Sequence, residues 1–228
     1  MRWLINSPIG RKFVMSLTGL GLVLFALFHA AMNFVYLISP EAYNAICNFL
    51  GANWYAIIAT IGLFALFGIH IIYAIILSLQ NRKARGNDRY AVAGRQKGVS
   101  WASMNMLLIG LAILAFLVMH MVHFWSKMQM IEVGHYILGM EHLDTSRAAD
   151  GAYHIASVFS NPIACIIYII GVFALWLHMT HGFWSGMQSL GFSNNVWLPR
   201  IKVLSAIIAT ITCLLFVAIP LVYLFGIK

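Results

Sequence analysis

Five runs of apolar residues dominate the chain, at roughly 12–38, 54–79, 101–126, 158–188 and 202–226, and no Asp or Glu lies inside any of them. A bilayer core about 30 Å thick is crossed by about 20 helical residues, and every run reaches that length. Membrane strands would alternate apolar and polar residues, and these runs do not alternate. Only 9% of the 228 residues are charged, against about 25% in a soluble domain. The chain therefore cannot cover a globular surface in water, which excludes an ordinary soluble enzyme and a disordered chain. The expectation is an all-α integral membrane protein, a single transmembrane domain over residues 1–228 with five spanning helices.

The charges then orient the spans. The N-terminal segment carries Arg2, Arg11 and Lys12, and the second loop carries Arg82, Lys83, Arg85, Arg89, Arg95 and Lys97. The fourth adds Arg200 and Lys202, so one side holds eleven of the fourteen basic residues. The other side has Lys127, Arg147 and Lys228, with Glu41, Glu132, Glu141, Asp144 and Asp150. The positive-inside rule puts the N-terminus in the cytoplasm and the C-terminus outside. A net charge of +8 could suggest nucleic acid, but basic residues confined to short loops read as an orientation signal, and no nucleic-acid partner is expected. The first run is long enough to span and is expected to stay attached. The cysteines Cys47, Cys165 and Cys213 are scattered, with no zinc, iron–sulfur or covalent-haem spacing. The long outer loop, about 127–157, is expected to hold a short interfacial helix. Asn161-Pro162 suits the start of the fourth helix, Pro199 precedes the fifth, and Pro220 is expected to kink its end. Trp101, Trp125 and Trp184 read first as interfacial belt residues.

Six histidines fall inside spans: His29, His70, His120, His123, His178 and His181; His135, His142 and His154 lie in or beside the outer loop. An ionisable residue in hydrocarbon is costly and points to function by default, although any one alone reads as an interior histidine bonded to a neighbouring helix. Depth changes that reading. At about 1.5 Å per residue, His29 and His120 lie roughly 24 and 28 Å from the cytoplasmic ends of their spans, and His70 and His178 roughly 15 Å. Four helices thus give two layers of two histidines, roughly 9–13 Å apart. Two histidines facing each other across a bundle are the axial ligand set of a six-coordinate haem. The architecture expected is a four-helix haem-binding bundle plus a fifth helix. His123 and His181, three residues after a layer histidine, read as hydrogen-bonding or interfacial groups. Gly19 and Gly110 each precede the histidine of their own helix by ten residues, Gly62 and Gly171 by eight and seven. Each is expected near the level of the other layer, as a notch for a porphyrin face or as a helix-packing glycine.

The stretches LTGLGLVLFALFH (17–29), MHMVHFW (119–125) and LHMTHGFWSGMQSLG (177–191) resemble the first, third and fourth helices of the di-haem cytochrome b subunit of succinate:quinone oxidoreductases. The likeness covers about residues 10–225 and is nearest the single-subunit, five-helix branch of fumarate reductases and menaquinone-linked succinate dehydrogenases. It implies two non-covalent haem b groups, with His29 and His120 on the outer iron and His70 and His178 on the inner. It places Ser16 against a haem propionate. It implies a bacterial cytoplasmic membrane protein that anchors a flavoprotein and an iron–sulfur subunit, within a complex that can form a dimer, and exchanges electrons with menaquinone or another quinone. Dicarboxylate chemistry would lie on the partners. Glu41, near the outer end of the first helix, is the candidate proton partner for quinol, with an ordinary loop acid as the alternative. Trp176 stands where some relatives carry a glutamate two residues before the fourth-helix ligand, which leaves a carboxylate proton path of that kind in doubt. Other classes remain open: a histidine-relay proton channel or transporter without haem, a di-haem quinone oxidoreductase without soluble partners, and an anchor with no redox role.

Overall fold

The computed structural model describes residues 7–85 and 101–227. Arg2, Arg89, Arg95, Lys97 and Lys228, used above for orientation, lie outside them. The described residues are all helical apart from their turns and loops: α1 (Pro8–Ile38), α2 (Pro40–Phe49), α3 (Trp54–Arg85), α4 (Trp101–Met104), α5 (Met106–His123), a 3₁₀ turn (Trp125–Lys127), α6 (Gln129–Tyr136), α7 (Gly151–Phe159), α8 (Pro162–Ser189) and α9 (Trp197–Leu224). Five are long and apolar enough to cross a membrane, namely α1, α3, α5 with its 3₁₀ turn, α8 and α9.

Several boundaries follow from caps that apolar length alone does not reveal. Ser7, Ser39 and Asn161 each accept a hydrogen bond from a first-turn amide, and each precedes a proline. The proline has no amide hydrogen to leave unpaired and its φ suits a helix start. Hence α1 starts at Pro8, ahead of its apolar run. A Ser-Pro start at Ser39, here followed by Glu41, opens α2 between the first and second apolar runs. The outer loop holds α6 and α7 in place of one short helix, and α7 is separated from α8 by Ser160 and Asn161. Pro199 lies inside the first turn of α9 rather than ahead of it, where a missing amide hydrogen costs little. Pro220 is in the helix interior.

Neighbouring spans run antiparallel, as the residues that meet between them show. On α1 and α3, Thr18 meets His70 and Gly21 meets Leu66. On α5 and α8, Gly110 meets His178 and His123 meets Tyr168. On α8 and α9, Ser205 donates to the Thr180 carbonyl at 2.6 Å, and Trp176 Nε1 donates to Thr210 Oγ1 at 3.0 Å. The packing forms a ring in the order α3, α1, α8, α5, and the α5–α3 side is its slightest contact. Outside the ring, α9 lies along α1 and α8. Val23, Met179 and Ala209 form the dry seam of those three helices.

The ring is capped at one end by α2, α6 and α7. Tyr36, Tyr43, Ile155, Val158, Phe159, Cys165, Tyr168 and Ile219 pack there as one core. The Tyr36 and Tyr223 hydroxyls hydrogen-bond each other beneath it. Asn44 ties α2 to α7, donating to Asp150 Oδ1 and accepting from the Ala152 amide, both at 2.9 Å. Gln129 ties α6 to α3: Thr60 Oγ1 donates to its Oε1 at 2.8 Å, and its Nε2 donates to the Gly51 carbonyl at 3.0 Å.

Candidate functional site

The ring order places α1 opposite α5 and α3 opposite α8. The four layer histidines meet across those two diagonals. His29 and His120 have ring centroids 5.8 Å apart with planes at 83°. His70 and His178 have centroids 6.3 Å apart with planes at 71°. The two pairs are stacked along the bundle. Gly19 is level with His70 and Gly110 with His178, ten residues from the upper histidine on the same helix, or about 15 Å of helix contour. This exceeds the 9–13 Å counted from span ends, because that count took the helix ends as level with one another.

The upper pair, nearer the cap, sits in an aromatic wall. Phe25 stacks on His29 at 5.3 Å, and Phe216 of α9 lies against the same ring. Phe116, Phe124 and Tyr168 surround His120. Asn33, one turn beyond His29, donates to the His29 carbonyl at 2.7 Å and accepts from the Tyr43 hydroxyl at 2.9 Å. In the lower pair, Thr18 Oγ1 lies 3.2 Å from His70 Nδ1, whereas His178 Nδ1 is shielded from solvent with no hydrogen-bond partner among the described residues. A methyl added at Gly19 would come within 3.2 Å of His70 Cε1, and one at Gly110 within 3.9 Å of His178 Cε1. Both glycines therefore border the lower pair. Gly171 is filled instead by the Phe116 ring, and Gly62 faces open space.

The remaining candidates separate. His123 stacks on Tyr168 and bonds its hydroxyl at 3.1 Å, which fits a hydrogen-bonding group. His181 lies edge-on to Trp184, over whose ring Lys202 Nζ sits at 4.8 Å. Ser16 is buried at the end opposite the cap, beside Gly186, and donates to the Lys12 carbonyl at 2.8 Å. Glu41 is exposed in the first turn of α2 and accepts from Ser39 Oγ at 2.9 Å. Glu132 is half-buried against Gly51 at the cap, and burial raises its carboxyl above the usual range. Trp176 turns its indole to α9, so nothing at that position stands in for a carboxylate. His154 bonds the Arg147 carbonyl at 2.9 Å and is part of the cap. Among the described residues no group of three or more His, Cys, Asp or Glu is arranged to hold a metal ion. The two histidine pairs lie at the bundle axis, and a pair suffices where a macrocycle supplies the other ligands.

Sequence reasoning located the histidines but not Thr18 or Tyr168, whose roles depend on the rotation of each helix. Fold and site define a class: an all-helical chain with five potential membrane spans and two stacked cross-bundle histidine pairs. No known family, curated protein or solved structure matches the chain.

Proposed function

We propose that this chain is the di-haem cytochrome b subunit of a succinate- or fumarate-linked quinone oxidoreductase. In this reading it spans a bacterial cytoplasmic membrane, anchors a flavoprotein and an iron–sulfur subunit, and exchanges electrons with menaquinone or a related quinone. The observation that carries the reading is the pairing of His29 with His120 and of His70 with His178 across the two diagonals. Two imidazoles that each set a nitrogen about 2 Å from one metal, on opposite sides, have ring centroids about 6 Å apart. The observed 5.8 and 6.3 Å fit that demand twice.

His29 and His120 would hold one haem and His70 and His178 the other. When bound, haem supplies a one-electron couple whose potential is set by ligands, burial and hydrogen bonds. The chain's residues supply that setting. Phe25, Phe116, Phe124 and Phe216 keep water from the upper pair. Gly19 and Gly110 leave room beside the lower pair. Ser16, with Lys12 one turn before it, offers polar groups at the end opposite the cap. With the N-terminus cytoplasmic, that end faces the soluble partners and the cap faces outside. Glu41 then lies where quinol protons would be released.

The test is purification of the chain with whatever accompanies it, followed by a reduced-minus-oxidised visible spectrum. Two six-coordinate haems per chain, with flavin and iron–sulfur subunits in the preparation, are expected. A colourless protein would overturn the reading and favour a histidine relay for protons. Haem without soluble partners would favour a free-standing quinone oxidoreductase.

A further inference from the structure

Thr18 is one of few buried polar residues in the spans among the described residues. Its hydroxyl has a single hydrogen. That hydrogen has ready acceptors on its own helix, the Val14 carbonyl at 2.9 Å and the Met15 carbonyl at 3.1 Å. Such back-bonding is the ordinary state of a helical threonine. The oxygen then meets His70 Nδ1, 3.2 Å away across the α1–α3 contact, through a lone pair. With its hydrogen so engaged, the oxygen can only accept from the ring, which asks for an N–H at Nδ1 and leaves the lone pair of neutral imidazole on Nε2.

We propose that Thr18 is the positioning residue of the lower site: it fixes His70 in the tautomer that presents Nε2 to a metal, and makes that nitrogen the more basic of the lower pair. The inference rests on the haem-binding reading above and deepens it. The contrast within the pair supports it, because His178 Nδ1 has no hydrogen-bond partner among the described residues. So does the local packing. Gly19, the next residue, is level with Cε1 of the same ring at a spacing that a side chain would crowd. Thr18 and Gly19 together therefore fix one edge of His70, by a hydrogen bond and by close approach. A hydrogen-bond acceptor behind a ligating imidazole raises its donor strength and favours the oxidised metal.

Three substitutions test this in the assembled membrane protein. Thr18→Val keeps the shape and removes the acceptor, Thr18→Ala removes the acceptor and reduces packing pressure, and Thr18→Ser keeps the hydroxyl. Potentiometric titration of the visible bands and the low-spin ferric resonance signals are read for each. Thr18→Val and Thr18→Ala are expected to raise the potential and shift the resonance of one haem of the two, the one lost in His70 substitutions. Thr18→Ser is expected to restore both values. If the variants without a hydroxyl lose that haem, retention in Thr18→Ser supports the assignment, and loss in Thr18→Ser overturns it. Two haems titrating as in the unsubstituted protein after Thr18→Val also overturn it, leaving Thr18 as packing, with the functional reading intact. An unsubstituted protein that binds no haem overturns both.

Discussion

Tyr168 of α8 holds its hydroxyl 3.1 Å from His123 Nδ1 while its ring lies edge-on against Phe116 and against His120. One side chain thus separates the two histidines of α5, giving His123 a hydrogen-bond partner and leaving His120 an apolar wall. Tyr168→Phe removes only the hydrogen bond and is expected to cost about 1 kcal/mol of stability. Tyr168→Ala also empties a core position and is expected to cost about 3–5 kcal/mol. Thermal unfolding in detergent distinguishes these. Equal losses for both variants would mean that the hydroxyl, not the ring, holds the cap.

The two histidine pairs make separate predictions. Replacing His29 or His120 with Ala is expected to abolish one haem signal and spare the other. Replacing His70 or His178 is expected to do the reverse. The difference spectrum of each purified variant is the measurement. Loss of the same signal from His29→Ala and His70→Ala would refute the pairing.

The glycines divide by neighbour. Gly19→Leu and Gly110→Leu are expected to disturb the lower site's spectrum, because any side chain there meets His70 or His178. Gly171→Leu is expected to destabilise the α5–α8 contact by about 1–3 kcal/mol through overpacking, since the Phe116 ring already fills that space. Spectra that stay intact in the first two variants would reduce those glycines to helix packing.

The cap should respond to pH through Glu132. Burial raises its carboxyl above the ordinary 4.5, with the Cys47 thiol the titratable neighbour. A carboxyl whose folded value is raised favours the folded state fully below the unfolded value. That contribution fades as pH rises through the folded value. Glu132→Gln is therefore expected to match the parent near pH 4 and to be slightly more stable at neutral pH, by an amount that partial solvent exposure keeps small. Unfolding midpoints across that range give the answer, and a variant less stable at neutral pH would contradict it.

Glu41 makes a functional counterpart. It accepts from Ser39 Oγ and stands in the first turn of α2, where a negative charge suits the helix dipole. Glu41→Gln is expected to slow quinol turnover with both haem signals present. Unchanged turnover would confine Glu41 to its capping contact.

What could be read in advance follows from what each feature depends on. Spans are legible because apolar length alone decides whether a helix can cross a bilayer. The layering of His29 with His120 and of His70 with His178 is legible because depth is a count along a helix. The spacing between layers is less so, since it depends on how far helices stagger. Rotation is not legible at all: nothing in the order of residues says that Thr18 faces His70, that Phe116 rather than open space faces Gly171, or that Trp176 turns to α9. The helix at 40–49 was signalled by Ser39-Pro40-Glu41 but is too short to register as an apolar run.

The place of α9 has a consequence for how the pairs come together. By clasping α1 and α8 it stiffens the helices that carry His29 and His178, one from each layer. A third of the apolar window of α8 is covered, 33%, against 6% for α5 and none for α3. Each layer therefore has one histidine on a helix that α9 braces from outside and one on a helix held only by its neighbours in the ring. A guest entering either gap would press outward on one braced wall and one wall with nothing of this chain behind it.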